Sequence, residues 1–234
     1  MKLHKICILT GLLLSLSSLG LAATEKYSCD IRLKGYEEGS FVVLKGDAVN
    51  LRQRPKDGRV LEEMPRHTLL RVLSREKDWL KVRTDGLTGY VYAPLTGSEE
   101  GEELSEEDFS LVKVALDDEY AEVKLSLGQG DRKKKRHGIS YYEYDDQLLV
   151  GIKDARVCSL TTEKQDYFLA RGVGVGDTSA RLVGQYGLPS AVVYDDDDII
   201  YEYFLDKAHH ERYALAVTVD EQGIIRGLSL EKEA

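Results

Sequence analysis

Arg52, Arg54, Trp79, Tyr90 and Tyr92 are the residues of this chain whose types best suit recognition. Trp and Tyr supply broad rings with one polar end, and Arg supplies a planar fork of donors that fits a carboxylate. Together they would make a shallow groove for a peptide that carries acids, although the same rings in a strand could instead fill a core. A second group is the unbroken basic run Arg132, Lys133, Lys134, Lys135 and Arg136, which reads as a loop. Five cations in succession could contact an anionic surface such as lipid headgroups or wall polymer, or remain a solvated loop.

The patterns that would carry catalysis are incomplete. Gly172, Gly174 and Gly176 before Asp177 have the spacing Gly-x-Gly-x-Gly. A dinucleotide loop needs Gly-x-Gly-x-x-Gly inside a βαβ unit, so these glycines read as the approach to a helix. Asp195–Asp198 are four consecutive acids, which an extended chain turns to alternate sides, so they read as a solvated turn. His209, His210 and Glu211, with His137 elsewhere, lack the helical His-x-x-x-His pairing of a metal site. Cys29 and Cys158 have no neighbouring His or Gly-rich turn to activate a thiolate. They form a candidate disulfide if the chain reaches an oxidising compartment, and are otherwise two unrelated thiols. The expectation is a protein without catalytic residues, metal or cofactor.

Residues 1–23 have the form of a secretory signal. Lys2 and Lys5 precede an apolar run from Ile6 to Leu21, and small residues around Ala22 and Ala23 offer cleavage sites. The run is short for the ~20 residues of a membrane span, so no stable span is expected after cleavage. The formal net charge is −9, but Phe41–Leu95 holds 11 Lys and Arg against 7 Asp and Glu. That local positive balance could meet an anionic polymer, whereas an exported chain without a dense basic stripe is a poor nucleic-acid binder.

Short strand-like pieces fill Phe41–Leu95: Phe41–Leu44, Val49–Arg52, Thr68–Leu73, Trp79–Arg83 and Gly89–Tyr92, each closed by Gly, Pro or Asp turn signals. Such pieces suit a small all-β barrel, which removes exposed sheet edges. At Asn50-Leu51-Arg52 before Pro55, at Trp79-Leu80-Lys81-Val82 and at Gly89-Tyr90-Val91 the chain resembles the bacterial SH3 (SH3b) family. That resemblance implies non-catalytic binding, commonly of cell-wall peptide or of another protein.

Thr96–Ser110 is dominated by Glu and Asp and reads as a flexible acidic linker, or as a helix begun by Ser105. Beyond it the chain reads as a repeat. A shift of 59 residues carries Gly128 onto Gly187 and Tyr142–Tyr144 onto Tyr201–Tyr203. Each unit, about 117–162 and 174–230, reads as one short helix and three strands, with Asp118 and Asp177 as N-caps and Gly128 and Gly187 at the helix ends. Gly174-Val175-Gly176-Asp177 and Tyr186-Gly187-Leu188-Pro189 resemble the SmpA/OmlA (BamE-like) type of fold, which implies protein–protein contacts in the cell envelope.

The expected architecture is therefore multi-domain: signal peptide 1–23, SH3-like barrel with an N-terminal extension 24–95, linker 96–110, and a duplicated α+β domain 111–234 of two helix-plus-antiparallel-strand repeats. The expected role is a non-catalytic exported cell-envelope binding or adaptor protein, periplasmic or secreted, with cell-wall peptide or an envelope protein as partner. The alternative is an accessory or inhibitor of an envelope hydrolase, or a hydrolase with unrecognised catalytic residues.

Overall fold

The structure is a computed structural model that describes residues 25–28, 36–97, 102–145, 148–195 and 198–233. The expected signal peptide, Cys29 and part of the acidic run lie outside the described residues.

Alternation shapes the first half. After β1 (Glu25–Ser28) come β2 (Phe41–Leu44), β3 (Val49–Arg52), β4 (Val60–Met64), β5 (Leu69–Glu76), β6 (Trp79–Arg83), β7 (Thr88–Tyr92) and β8 (Thr96–Gly97). Strands β2 to β8 pair in the order β4-β3-β7-β6-β5-β2-β8. Every second residue faces inward, so Leu51, Leu70, Leu80, Val82 and Val91 are fully buried in one apolar core. Gly89 is required where β7 crosses β3: a Cβ there would lie 2.8 Å from the Arg52 carbonyl oxygen and 2.7 Å from Leu51 Cγ. Gly89→Ala is expected to destabilise the module by about 1–3 kcal/mol through overpacking. Urea unfolding measures this, and an unchanged midpoint would show that β7 can shift to make room.

The second half holds β9 (Ser110–Leu111), β10 (Val114–Ala115), α1 (Tyr120–Leu127), β11 (Asp131–Arg136), β12 (Ile139–Tyr144), β13 (Leu148–Lys153) and β14 (Arg156–Thr162). It continues with α2 (Ser179–Tyr186), β15 (Ala191–Asp195), β16 (Asp198–Asp206), β17 (Arg212–Val219) and β18 (Ile225–Glu233). Apart from the short β9–β10 hairpin, its strands join β1 in a single antiparallel sheet of nine, ordered β1-β15-β16-β17-β18-β14-β13-β12-β11.

This corrects the expected α+β body of two helix-plus-strand repeats. Strand dominates, the two α-helices among the described residues have eight residues each, and the sheet runs without a break through β14 and β18. The basic run Arg132–Arg136 was expected as a loop and is a strand. His137 and Gly138, both at positive φ, make the tight turn that folds it back on β12. Ala191–Asp195 pairs with β16. The expected caps are displaced by one residue. Thr178 caps α2 by accepting the Arg181 N–H at 3.1 Å, while Asp177 accepts from Gly174 N–H and Asp118 from Ala115 N–H. Those two acids close the preceding turns instead. Gly128 and Gly187 do end the helices at positive φ.

The larger core lies against one face of the nine-stranded sheet, beneath both helices, and takes in Val43 and Leu69 of the first module. The β6–β7 turn adds a polar contact between the two bodies. Asp85 accepts hydrogen bonds from Ser179 Oγ and Tyr201 Oη, both at 2.6 Å, and the Arg83 guanidinium lies 4.1 Å from the Tyr194 ring centre. Of the acidic run, residues 102–110 are docked on the second body. Ser105 and Asp108 form a capping box, Phe109 is buried edge-on to Tyr213, and Arg171 grips Asp108. Acidic composition alone suggested a tether, but the half-buried Arg171 and the buried Phe109 fasten this segment to the second body.

Candidate functional site

The outward side chains of β3, β7, β6 and β5 form the face on which most of the expected binding residues meet. Arg52 is opposite Tyr90, Tyr90 opposite Lys81, and Lys81 opposite Ser74. In the neighbouring row Tyr92 is opposite Trp79 and Trp79 opposite Glu76. Because side chains alternate, these two rows share one surface, while Leu80, Val82 and Val91 between them point into the core. The Trp79 and Tyr92 rings are 5.6 Å apart and tilted by 55°, with Trp79 half-buried and Tyr92 exposed. An offset pair of this kind gives a rigid apolar platform at little conformational cost.

Polar groups border the platform. Tyr90 donates its hydroxyl to Glu76 Oε1 at 3.1 Å, and that hydrogen bond pushes the phenol above its ordinary value. Arg52 donates Nη1 to the Gly58 carbonyl at 3.0 Å, so its cation also braces the turn between β3 and β4. Arg54 is separate from this face. It stands in that turn, exposed, with Nε 3.7 Å from Asp57. The face thus brings together Arg52, Trp79, Tyr90 and Tyr92, adds Lys81 and Glu76, and leaves Arg54 to one side. Lys81 was within reach of sequence reasoning, since it is two residues after Trp79 in an alternating strand. Glu76 needed the register of the β5–β6 hairpin.

An aromatic platform flanked by two cations and one carboxylate suits a short peptide bearing both charges. Arg52 and Lys81 can meet a carboxylate, and Glu76 can accept from an ammonium or amide group.

Elsewhere, Arg132, Lys134, Lys135 and Arg136 are exposed along β11. Cys158 lies in β14 as a free thiol whose Sγ donates to the Gly151 carbonyl at 3.4 Å. Burial pushes that thiol above its ordinary value, the opposite of an activated nucleophile. Among the described residues, no three His, Cys, Asp or Glu side chains converge as metal ligands. No helix among them is long and apolar enough to cross a membrane.

Comparison with solved structures gives distant likenesses. An extracellular protein containing a SCP domain from Bacillus anthracis str. Ames superposes with a TM-score of 0.38 at 9% identity, over 58% of this chain and 50% of its own. A cysteine-rich secretory protein from Staphylococcus aureus subsp. aureus Mu50 gives 0.37 at 16%, with the same coverage. A DUF4309 family protein from Bacillus subtilis subsp. subtilis str. 168 gives 0.32 at 18%, over 56% of this chain and 88% of its own. The chain thus spans about half the length of the first two, and likenesses this distant carry no argument about function. No curated protein of similar sequence was found. The BamE-like resemblance is not shown by these comparisons. The resemblance of the first module is: residues 45–97, which carry the aromatic platform, match the family model of the bacterial SH3 domain.

Proposed function

We propose that this chain is a non-catalytic, exported binding protein of the bacterial cell envelope, whose SH3 module takes a cell-wall peptide on the Trp79–Tyr92 platform. The observation that carries the reading is the continuous outward face of Arg52, Tyr90, Lys81, Trp79, Tyr92 and Glu76 within the segment that matches the bacterial SH3 family. Peptide stems of a wall offer carboxylates and amines a few atoms apart, which is the charge pattern the face accommodates. The second body is fastened to the module by the shared core and by Asp85.

Co-sedimentation of the signal-free chain with purified peptidoglycan tests the proposal. The chain is expected to pellet, and Trp79→Ala is expected to weaken binding by about 2 kcal/mol, the loss of a central aromatic anchor, with the thermal midpoint almost unchanged. A chain that stays in the supernatant, or a variant that pellets equally well, rules out the platform as a wall site. Release of soluble muropeptides during incubation would overturn the non-catalytic part and favour a hydrolase.

A further inference from the structure

Strand β11 ends the nine-stranded sheet. It pairs with β12 on one side, and among the described residues no strand lies on the other. From Arg132 to Arg136 every residue is a cation, in a chain whose formal net charge is −9. The register with β12 distributes them: Arg132 and Lys135 lie opposite Tyr142 and Ser140 on one face, Lys134 and Arg136 opposite Tyr141 and Ile139 on the other. These four side chains are exposed, and no described carboxylate forms an ion pair with any of them. Lys134 instead rests 5.0 Å from the centre of the Tyr141 ring. A bulge at Lys133 leaves Lys134–Arg136 as a regular stretch of open edge. Charge on an edge strand deters pairing between copies, but one or two lysines suffice for that, and β1 at the opposite edge has the mixed sequence Glu-Lys-Tyr-Ser.

We infer that β11 is a docking edge for an acidic peptide segment of another protein, which adds antiparallel or parallel as a tenth strand. An open edge offers backbone N–H and C=O groups in a line, and cations on both faces would stand beside the acidic side chains of an added strand at every position. A lipid surface approaches as a plane and would meet only one pair of cations, leaving the backbone groups unused. Asp131, at the far end of the β11–β12 pairing, would repel acids there and confine the added strand to the basic stretch. The edge is remote in sequence from the Trp79–Tyr92 platform.

The test uses the whole signal-free chain and a short glutamate-rich peptide, read by fluorescence anisotropy and by amide hydrogen exchange. A second peptide of equal charge carries proline at alternate positions and cannot form a ladder. The first peptide is expected to bind at low salt, to slow exchange in β11, and to weaken steeply as salt rises. The proline peptide and the double variant Lys134→Glu, Arg136→Glu are each expected to lose about tenfold or more in affinity, as cross-strand pairs are removed. The variant changes exposed residues only, and an unchanged thermal midpoint confirms its fold; Lys134→Gln with Arg136→Gln should give an intermediate loss. Equal binding of both peptides, or binding without slowed exchange in β11, would show charge attraction without strand addition. Binding confined to anionic vesicles, or to none of these probes, would also overturn the inference.

Discussion

Arg171→Ala is expected to cost about 3–5 kcal/mol of stability at neutral pH, because it strands a carboxylate that the fold has taken out of water. Arg171 donates Nε to Asp108 Oδ1 at 2.6 Å and Nη2 to Asp108 Oδ2 at 2.7 Å. Its remaining donors reach the Gln185 carbonyl at 2.8 Å and the Glu103 carbonyl at 3.2 Å, and its guanidinium lies 5.0 Å from the Tyr186 ring centre. Burial raises the phenol of Tyr186 to about 12, so that ring stays neutral beneath the cation. Lysine cannot supply this two-pronged contact together with the two carbonyl bonds, so Arg171→Lys should recover only part of the loss. Burial by itself would raise the Asp108 carboxyl, but hydrogen bonds from Arg171 and the Ser105 N–H, with the Arg171 charge, hold it below its ordinary value. A lowered folded value means stability that is present above about 3.9 and is lost as pH falls through the folded value. Without Arg171 only the Ser105 hydrogen bonds oppose the burial effect, so the variant should regain ground on the wild type as pH falls. Urea unfolding in neutral and acid buffer measures both effects. A cost below about 1 kcal/mol would place the pair with ordinary solvated surface bridges.

What the sequence reveals depends on the range of the interaction. Strands β5, β6 and β7 are legible because Leu80, Val82 and Val91 alternate with polar residues and Gly or Asp turns close each piece. The same alternation exposes most of the candidate face. The second body was misjudged because its edge strand is written in Arg and Lys, residues that no strand propensity favours and that only a solvated edge accommodates. The weak helix is instructive as well: α1 buries only Val123 and leaves Leu125 87% exposed, so its pattern could not announce a layer of an α+β body. Asp85 was beyond reach altogether. Thr84-Asp85-Gly86 reads as any hairpin turn, and the hydroxyls that use it belong to residues 94 and 116 positions later.

Those hydroxyls make Asp85 the second sensitive point. Asp85→Ala should leave Ser179 Oγ and Tyr201 Oη, both on buried residues, without an acceptor. At about 1–3 kcal/mol for each orphaned group, a loss of about 2–6 kcal/mol is expected. Space is tight around the carboxylate: a Cβ on Gly223 would lie 2.8 Å from Asp85 Oδ2. Asp85→Asn keeps the shape and can still meet both hydroxyls, because each hydroxyl can accept as well as donate. The two variants therefore separate shape and hydrogen bonding from charge. Removal from water raises the Asp85 carboxyl above its ordinary value, against the lowering by Ser179 and Tyr201, and the charges of Asp220 and Glu62 add to the rise. With the folded value raised, the native state holds its proton longer than the unfolded chain. Asp85 thus contributes stability below about 3.9 that is lost as pH climbs through the folded value, opposite in sign to Asp108. Asp85→Asn abolishes that term, so its stability relative to the wild type should improve steadily from acid toward neutral pH. Paired urea titrations across that range decide the matter: a constant difference between the two proteins would mean that water reaches the carboxylate, and that the contact between the SH3 module and the sheet is looser than its geometry shows.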